Sequence, residues 1–255
     1  MIRILGITWG ESVLVSFDPS SGAVIEQHAT LNPDEKYVGL AYDSNRNKLY
    51  ALSQLNCNLY CVDPIRRTVT LIGKLNIGPN LDASALSYDP VADVLYTVVI
   101  HGGDSGPFQS DLAKVDTVNG NVTVIGTIGN GICNSLCWRD SDGKLNSYIV
   151  YGSGPDNSPY KASLVTIDPN TAAMTTLFET PYHTIAGLAQ RPGRNAYVSW
   201  INADTAFYGE VNLDTKSITQ LAPHDAGVCS AAMIYRGFYV APDLQPPRNL
   251  TGRIT

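Results

Sequence analysis

The chain has 255 residues, 44% of them hydrophobic and only 16% charged, which is enough apolar material for one large core and excludes a disordered chain. The formal net charge of −6 disfavours a phosphate backbone as partner, so no nucleic-acid role is expected. No apolar run approaches the roughly 18 residues of a membrane-spanning helix, so no membrane partner is expected either.

In chain order, every predicted element is a short strand. Residues 4–9, 13–17 and 24–29 come first. They are followed by a unit that recurs: Leu40-Ala41-Tyr42-Asp43, Lys48-Leu49-Tyr50-Ala51-Leu52, Leu59-Tyr60-Cys61-Val62-Asp63-Pro64 and Thr68-Val69-Thr70-Leu71-Ile72-Gly73. We label these four strands a to d. A second copy runs through Leu86-Ser87-Tyr88-Asp89 to Val122-Thr123-Val124-Ile125-Gly126. A third runs from Leu136-Cys137-Trp138 to Met174-Thr175-Thr176-Leu177, and a fourth from Leu188-Ala189 to Ile218-Thr219-Gln220-Leu221. Each strand is rich in Val, Ile, Thr and Tyr and is bounded by turn residues, and no stretch sustains a helical period.

An Asp sets the register after strand c, at Asp18, Asp63, Asp116, Asp168 and Asp214, with intervals of 45, 53, 52 and 46 residues. That spacing matches a propeller blade. Each carboxylate opens a turn in which it accepts from backbone N–H groups two residues on, so these aspartates are read as turn formers and not as catalysts. The first three strands match b, c and d without an a. Residues 230–234 supply a lone a near the C-terminus, so the two ends are expected to share one sheet and seal the ring. The a, c and d counts favour five blades. Residues 237–240 make a sixth b, which keeps six blades as an alternative. The expected organisation is one all-β propeller domain over 1–242 and an irregular tail over 243–255.

The pattern Leu-Tyr-x-Val-Asp-Pro followed by Thr-Val-Thr-Leu-Ile-Gly resembles the blade repeats of bacterial β-propeller proteins over residues 2–242. That resemblance implies the fold and no single activity, because propellers host lectins, hydrolases, lyases, cyclases and scaffolds. The Trp-Asp ending of WD40 blades is absent.

In such a ring the d–a and b–c connections share one face, around the channel mouth. The b–c connections vary most, at 53–58, 100–111 and 152–161, and long irregular loops on a regular fold are where function concentrates. Trp9, Tyr151 and Trp200 end strand b on that face, with His101 nearby, and aromatic rings there suit sugars or flat ligands. At the start of strand a stand Lys36, Tyr37, Asp82, Cys133, Asn134, His183 and Cys229. The next register position is small in every unit: Gly39, Ala85, Ser135, Gly187 and Ala231. The expected ligand-binding residues are therefore Trp9, His101, Cys133, Asn134, Tyr151 and Trp200.

The leading reading is a ligand-binding propeller with a small-molecule or carbohydrate pocket at the mouth. An enzyme (hydrolase, lyase or cyclase) is the first alternative, with Asp82, His183 and Tyr37 as its acid/base set. A protein-interaction scaffold is the second. No cofactor is expected. A metal site from His183, Cys133, Cys229 and Asp82 lacks any spacing signature, so none is expected. His28 and His224 are read as surface residues. The five cysteines are read as small buried hydrophobes, since neither Cys57–Cys61 nor Cys133–Cys137 can bridge along an extended strand. With no signal-like N-terminus, the expected location is cytoplasmic, unless a leader has been removed.

Overall fold

The computed structural model describes residues 3–8, 11–18, 21, 23–63, 65–103, 106–151, 161–180, 185–190, 196–202, 205–223 and 229–235; for the strands near the C-terminal end it describes chiefly the backbone. The strands in chain order are β1 (Arg3–Thr8), β2 (Val13–Phe17), β3 (Val24–Thr30), β4 (Tyr37–Asp43), β5 (Lys48–Ser53), β6 (Asn58–Asp63) and β7 (Thr68–Lys74). Then come β8 (Asp82–Asp89), β9 (Val94–Gly103), β10 (Gly106–Val115), β11 (Val122–Asn130), β12 (Ile132–Arg139), β13 (Lys144–Tyr151), β14 (Lys161–Ile167) and β15 (Met174–Thr180). The last are β16 (Ile185–Gln190), β17 (Ala196–Asn202), β18 (Thr205–Asn212), β19 (Ser217–Pro223) and β20 (Cys229–Tyr235).

These strands form five four-stranded antiparallel sheets, β20-β1-β2-β3, β4-β5-β6-β7, β8-β9-β10-β11, β12-β13-β14-β15 and β16-β17-β18-β19. The first of them joins the two ends of the described chain, with Leu5 opposite Met233 and Ile4 opposite Ile234. The leading strands pack on one another in cyclic order: β4 on β8, β8 on β12, β12 on β16, β16 on β20 and β20 back on β4. This is the topology of a β-propeller, with those five strands innermost. Residues 237–240 and the tail 243–255 lie outside the described residues.

Burial follows position within each sheet. The second strands are covered on both faces: in β5 only Lys48 is exposed. They accordingly read as continuous apolar runs, such as Leu49-Tyr50-Ala51-Leu52. The outer strands are the most exposed: β7 exposes Thr68 and Thr70, and β11 exposes Thr123 and Val124. The core is a set of layers between successive sheets. Leu5, Ile7 and Leu14 meet Leu40, Leu49 and Val62 across the first junction. Val98, Ile100 and Leu112 meet Leu136, Leu145 and Val165 across the third.

The turn aspartates act as expected at Asp63, Asp116 and Asp168, whose carboxylates accept from the N–H groups of Ile65, Val118 and Asn170 at 2.8–3.0 Å. In the last repeat the register differs. Asn212, not Asp214, closes the turn: its Oδ1 accepts from the N–H groups of Asp214 and Thr215. An amide oxygen serves that purpose as well as a carboxylate. The a–b turns use the same device at Asp43 and Asp89. Arg46 spans two sheets there, pairing Asp93 through both guanidinium nitrogens at 2.5 and 2.6 Å and Asp43 at 3.0 Å.

His28 is buried at 4% exposure, not on the surface. It is the extra residue of a bulge between Leu14 and Val15 on the partner strand. The other outer pairs carry the same bulge, at Ile72, Ile125, Leu177 and Leu221. His28 thus fills a position that the remaining sheets give to an apolar residue.

Gly39 marks how closely the sheets approach near the axis. A Cβ there would stand 2.8 Å from the backbone nitrogen of Leu86 on the next inner strand. The glycine that ends the Ile-Gly motif has a similar cause: a Cβ on Gly73 would meet the carbonyl of Asn119 at 3.0 Å, and one on Gly126 that of Thr171 at 3.2 Å. Replacing Gly39 with Ala pushes on a backbone that cannot step aside. Overpacking of this kind costs about 1–3 kcal/mol. A thermal melt of Gly39→Ala is expected to fall by roughly 2–10 °C, and an unchanged melting temperature would show that the inner strands have slack.

Candidate functional site

The inner strands carry a second repeated bulge at the start of strand a. In β4 the register shifts between Tyr37 and Gly39, leaving Val38 unpaired. The same shift falls at Ser84 and Ala85 in β8, Asn134 in β12, Ala186 in β16 and Ser230 in β20. A bulge re-aims the residue it frees and bends the strand. Here it divides the residues into two classes. Those just before the bulge point into the layers between sheets, as Tyr37, Ala83 and Cys133 do at 0–1% exposure. The bulged positions recur at equivalent places in the five inner strands with four residue types; Val38 packs against the second junction, Ser84 is buried and Asn134 is half-buried. Neighbouring hydroxyls satisfy the backbone groups that the bulges release: Thr97 Oγ1 donates to the carbonyl of Ala85 at 2.8 Å, and Ser147 Oγ to that of Ser135 at 2.6 Å. Ser84 Oγ donates across sheets to the carbonyl of Cys133 at 2.5 Å.

This division moves two of the expected site residues. Tyr37 lies in the first junction, its ring edge-on to Tyr60 at 5.8 Å and its hydroxyl accepting from the Asn32 N–H. Burial pushes its phenol well above the usual range, so it is a core residue and no acid/base group. Cys133 is fully buried, and burial pushes its thiol up to about 11. Cys137 is pushed up to about 12 by the same cause. Neither thiol is poised to ionise. Asn134, the bulged residue itself, is half-buried. Asp82 is exposed at the start of β8, with Ile100 opposite it. Tyr151 is half-buried against the third junction, and Trp200 sits on β17 opposite Ile185. Trp9, His183, His224 and loop residues 152–160 lie outside the described residues, as do the side chains of Trp200 and Cys229.

The 100–111 segment is a hairpin and not an irregular loop. Strands β9 and β10 continue past their sheet to Gly103 and Gly106, and His101 pairs with Gln109. Gly102 permits this with a φ of +100°, and a Cβ there would stand 2.7 Å from the carbonyl of Pro107. The extension brings together side chains that the sequence keeps apart. His101 Nε2 lies 2.7 Å from Asp111 Oδ2, a diagonal cross-strand contact. Gln109 Nε2 donates to Asp111 Oδ1 at 3.2 Å and to Thr127 Oγ1 at 3.3 Å. Asp111 is nearly buried, while the imidazole keeps 37% exposure. Asp111 was not singled out from the sequence. Its place beside His101 depends on the pairing of Gly103 with Gly106 and on the register shift before Gln109.

A second polar centre, also missed, locks the first junction on the same face. Glu35, in the connection between β3 and β4, is 5% exposed. It accepts from Tyr60 Oη at 2.5 Å and from Asn58 Nδ2 at 3.0 Å, with Ser53 and Asn56 beside it. Its own carbonyl accepts from Ser12 Oγ at 3.1 Å, and the Gln54 N–H donates to the carbonyl of Lys36 at 2.7 Å. Burial alone would raise the carboxyl, but the donors from Ser53, Tyr60, Asn58 and Asn56 outweigh it and hold the group below its ordinary value. Among the described residues no group of three or more His, Cys, Asp or Glu side chains gathers to hold a metal, and no helix is long and apolar enough to cross a membrane.

A Glu35→Ala variant leaves the buried hydroxyl of Tyr60 without its acceptor and the Asn58 amide with only its 3.4 Å contact to Tyr60 Oη, at about 1–3 kcal/mol for the orphaned hydroxyl. Because the folded carboxyl titrates below the unfolded one, its contribution is present above the ordinary carboxylate range and is lost as pH falls through the folded value. Denaturant unfolding from pH 7 to pH 3 should therefore show wild-type stability declining toward that of Glu35→Ala. A constant gap between the two would contradict the charged, hydrogen-bonded role of Glu35.

No protein-family model matches the chain, and no curated protein matches it in sequence. Solved structures match its fold. A chain of the nidogen/laminin complex superposes with a TM-score of 0.59 at 10% identity, over 92% of this chain and 98% of that one. A structural-genomics protein of unknown function from Bacteroides thetaiotaomicron gives 0.55 at 12% identity, over 86% of this chain and 64% of that one. TolB from Acinetobacter baumannii gives 0.52 at 12% identity, over 91% and 66%. Identities this low speak for the fold alone: the chain is an all-β repeat protein with the β-propeller fold.

Proposed function

We propose that the chain is a ligand-binding propeller of five blades, with a pocket for a small molecule or carbohydrate at the channel mouth on the face of the d–a and b–c connections. One observation carries the reading. The same bulge recurs in all five inner strands, yet the sequence there is Val38, Ser84, Asn134, Ala186 and Ser230. A ring with a purely structural centre has no use for four residue types at five equivalent backbone positions. A binding site needs them, because a ligand is not five-fold symmetric. The two polar centres found on that face differ in the same sense: one is sealed around Glu35, the other open at His101.

Asn134 and His101 supply hydrogen bonds in this reading, with Tyr151 and Trp200 as apolar walls and Asp82 at the rim. The enzyme alternative is favoured by one specific contact, the His101–Asp111 pair, and it retains Asp82 and His183 as further acid/base groups.

A thermal-shift screen against glycans and polar metabolites tests the proposal. A ligand present at 100 times its Kd adds about 2.7 kcal/mol to the folded state, and the melting temperature rises with it. The expected result is at least one hit whose shift is lost in Asn134→Ala and reduced in Asp82→Ala. A hit untouched by both variants and by Trp200→Ala would place the pocket elsewhere. A screen without hits would favour the protein-scaffold alternative.

A further inference from the structure

We propose that His101 is the proton-accepting group of the mouth, fixed by Asp111 in the tautomer that turns its Nδ1 lone pair toward a ligand bearing an O–H or N–H hydrogen. This rests on the mouth as the binding site and names the chemistry one of its walls would recognise: a hydroxylated or otherwise weakly acidic organic molecule.

The argument starts from the carboxylate. Ionised Asp111 only accepts hydrogen bonds. One oxygen takes the Gln109 amide at 3.2 Å, and the other faces His101 Nε2 at 2.7 Å. The neutral imidazole must then carry its hydrogen on Nε2, and its lone pair resides on Nδ1. Gln109 is itself held by Thr127 at 3.3 Å, so the carboxylate is braced from the next strand. Asp111 is 7% exposed and sits where β10 shifts register against β11. The braced partner is buried while the imidazole is part-exposed, which is the arrangement of a group meant to meet something from solvent. Asp111 is the positioning residue, and His101 is the group that touches the ligand.

A structural pair would fix the same tautomer but would keep Nδ1 covered. The access of a reagent from solvent to the Nδ1 lone pair therefore decides between the two roles. In Asp111→Asn the amide oxygen remains the acceptor for Gln109, so the new NH2 group faces Nε2. The imidazole then accepts there and moves its hydrogen to Nδ1. A double variant, Asp111→Asn with Gln109→Leu, removes that constraint, lets the amide turn over and restores the original tautomer.

The experiment uses the full chain labelled with 15N-histidine, with ring nitrogen shifts read at pH 8.5, where imidazoles are neutral. The same samples are treated with diethyl pyrocarbonate. An imidazole lone pair attacks its carbonyl carbon, the bond to the ethyl carbonate leaving group breaks, and the carbethoxyl group on the His101 peptide is counted by mass spectrometry. The proposal predicts a protonated Nε2 and a bare, reactive Nδ1 in the wild type, the reverse in Asp111→Asn with loss of reactivity, and recovery of both in the double variant. A wild-type imidazole that is protonated on Nδ1, or that does not react, would overturn the proposal. So would an Asp111→Asn variant that keeps the wild-type tautomer and reactivity. Neither readout involves a ligand, so failure here is distinct from failure of the mouth as a binding site.

Discussion

The close approach of five inner strands around one axis is the constraint on which the rest of this structure depends. Strands that near leave no room for a Cβ at Gly39, where the backbone of Leu86 stands 2.8 Å from the position it would take. They also leave no room for a regular ladder. Each inner strand bulges just where the axis is approached, and the residues before the bulge, Tyr37, Ala83 and Cys133, turn into the layers between sheets. The burial of Tyr37 and Cys133 and the placement of Asn134 are two sides of that one geometric event.

Bulges also manage the periphery. Every outer strand is an open edge, and such edges invite pairing with other chains. Each carries an extra residue opposite its partner strand, His28 in the first sheet and an aliphatic residue in the others, which twists the edge away from flatness. Between the two sets of bulges, in the first four sheets, lie second and third strands covered on both faces, and they form the apolar layers. The sheets therefore grade from crowded and polar-capped at the axis, through apolar, to threonine-rich at the rim. Function is left to the connections. One junction on the mouth face is sealed by a buried carboxylate with several donors. Another extends as a hairpin that lifts a histidine into partial exposure.

Much of this architecture was legible in the sequence because it repeats. The apolar runs of the second strands, the threonine-rich outer strands and the turn after strand c recur closely enough to set the register without a structure. The small residue at Gly39, Ala85 and Ser135 was legible for the same reason, since the crowding that requires it acts on every sheet. What repeats less was less legible. Asn212 takes over the turn from Asp214 because an amide oxygen accepts as a carboxylate does, and a register built on Asp alone misses it. His28 occupies an aliphatic position, which residue type alone does not disclose. The site suffered most. Alternation through strand a does not reveal a bulge, so nothing in the sequence shows that Tyr37 and Cys133 turn into the layers between sheets. Asp111 and Glu35 owe their surroundings to contacts across strands and between sheets, and no local pattern marks them.

The central claim is that pairing of β20 with β1 closes the ring and makes the sheets one cooperative unit, which fixes the inner strands at the spacing the mouth requires. Hydrogen exchange with calorimetry, comparing the full chain with one ending at residue 228, tests it most directly. The account predicts that the amides of β1 in the full chain exchange only through global unfolding. It predicts that the shortened chain loses both that protection and its single sharp transition. A shortened chain that melts at the same temperature with the same enthalpy would contradict it.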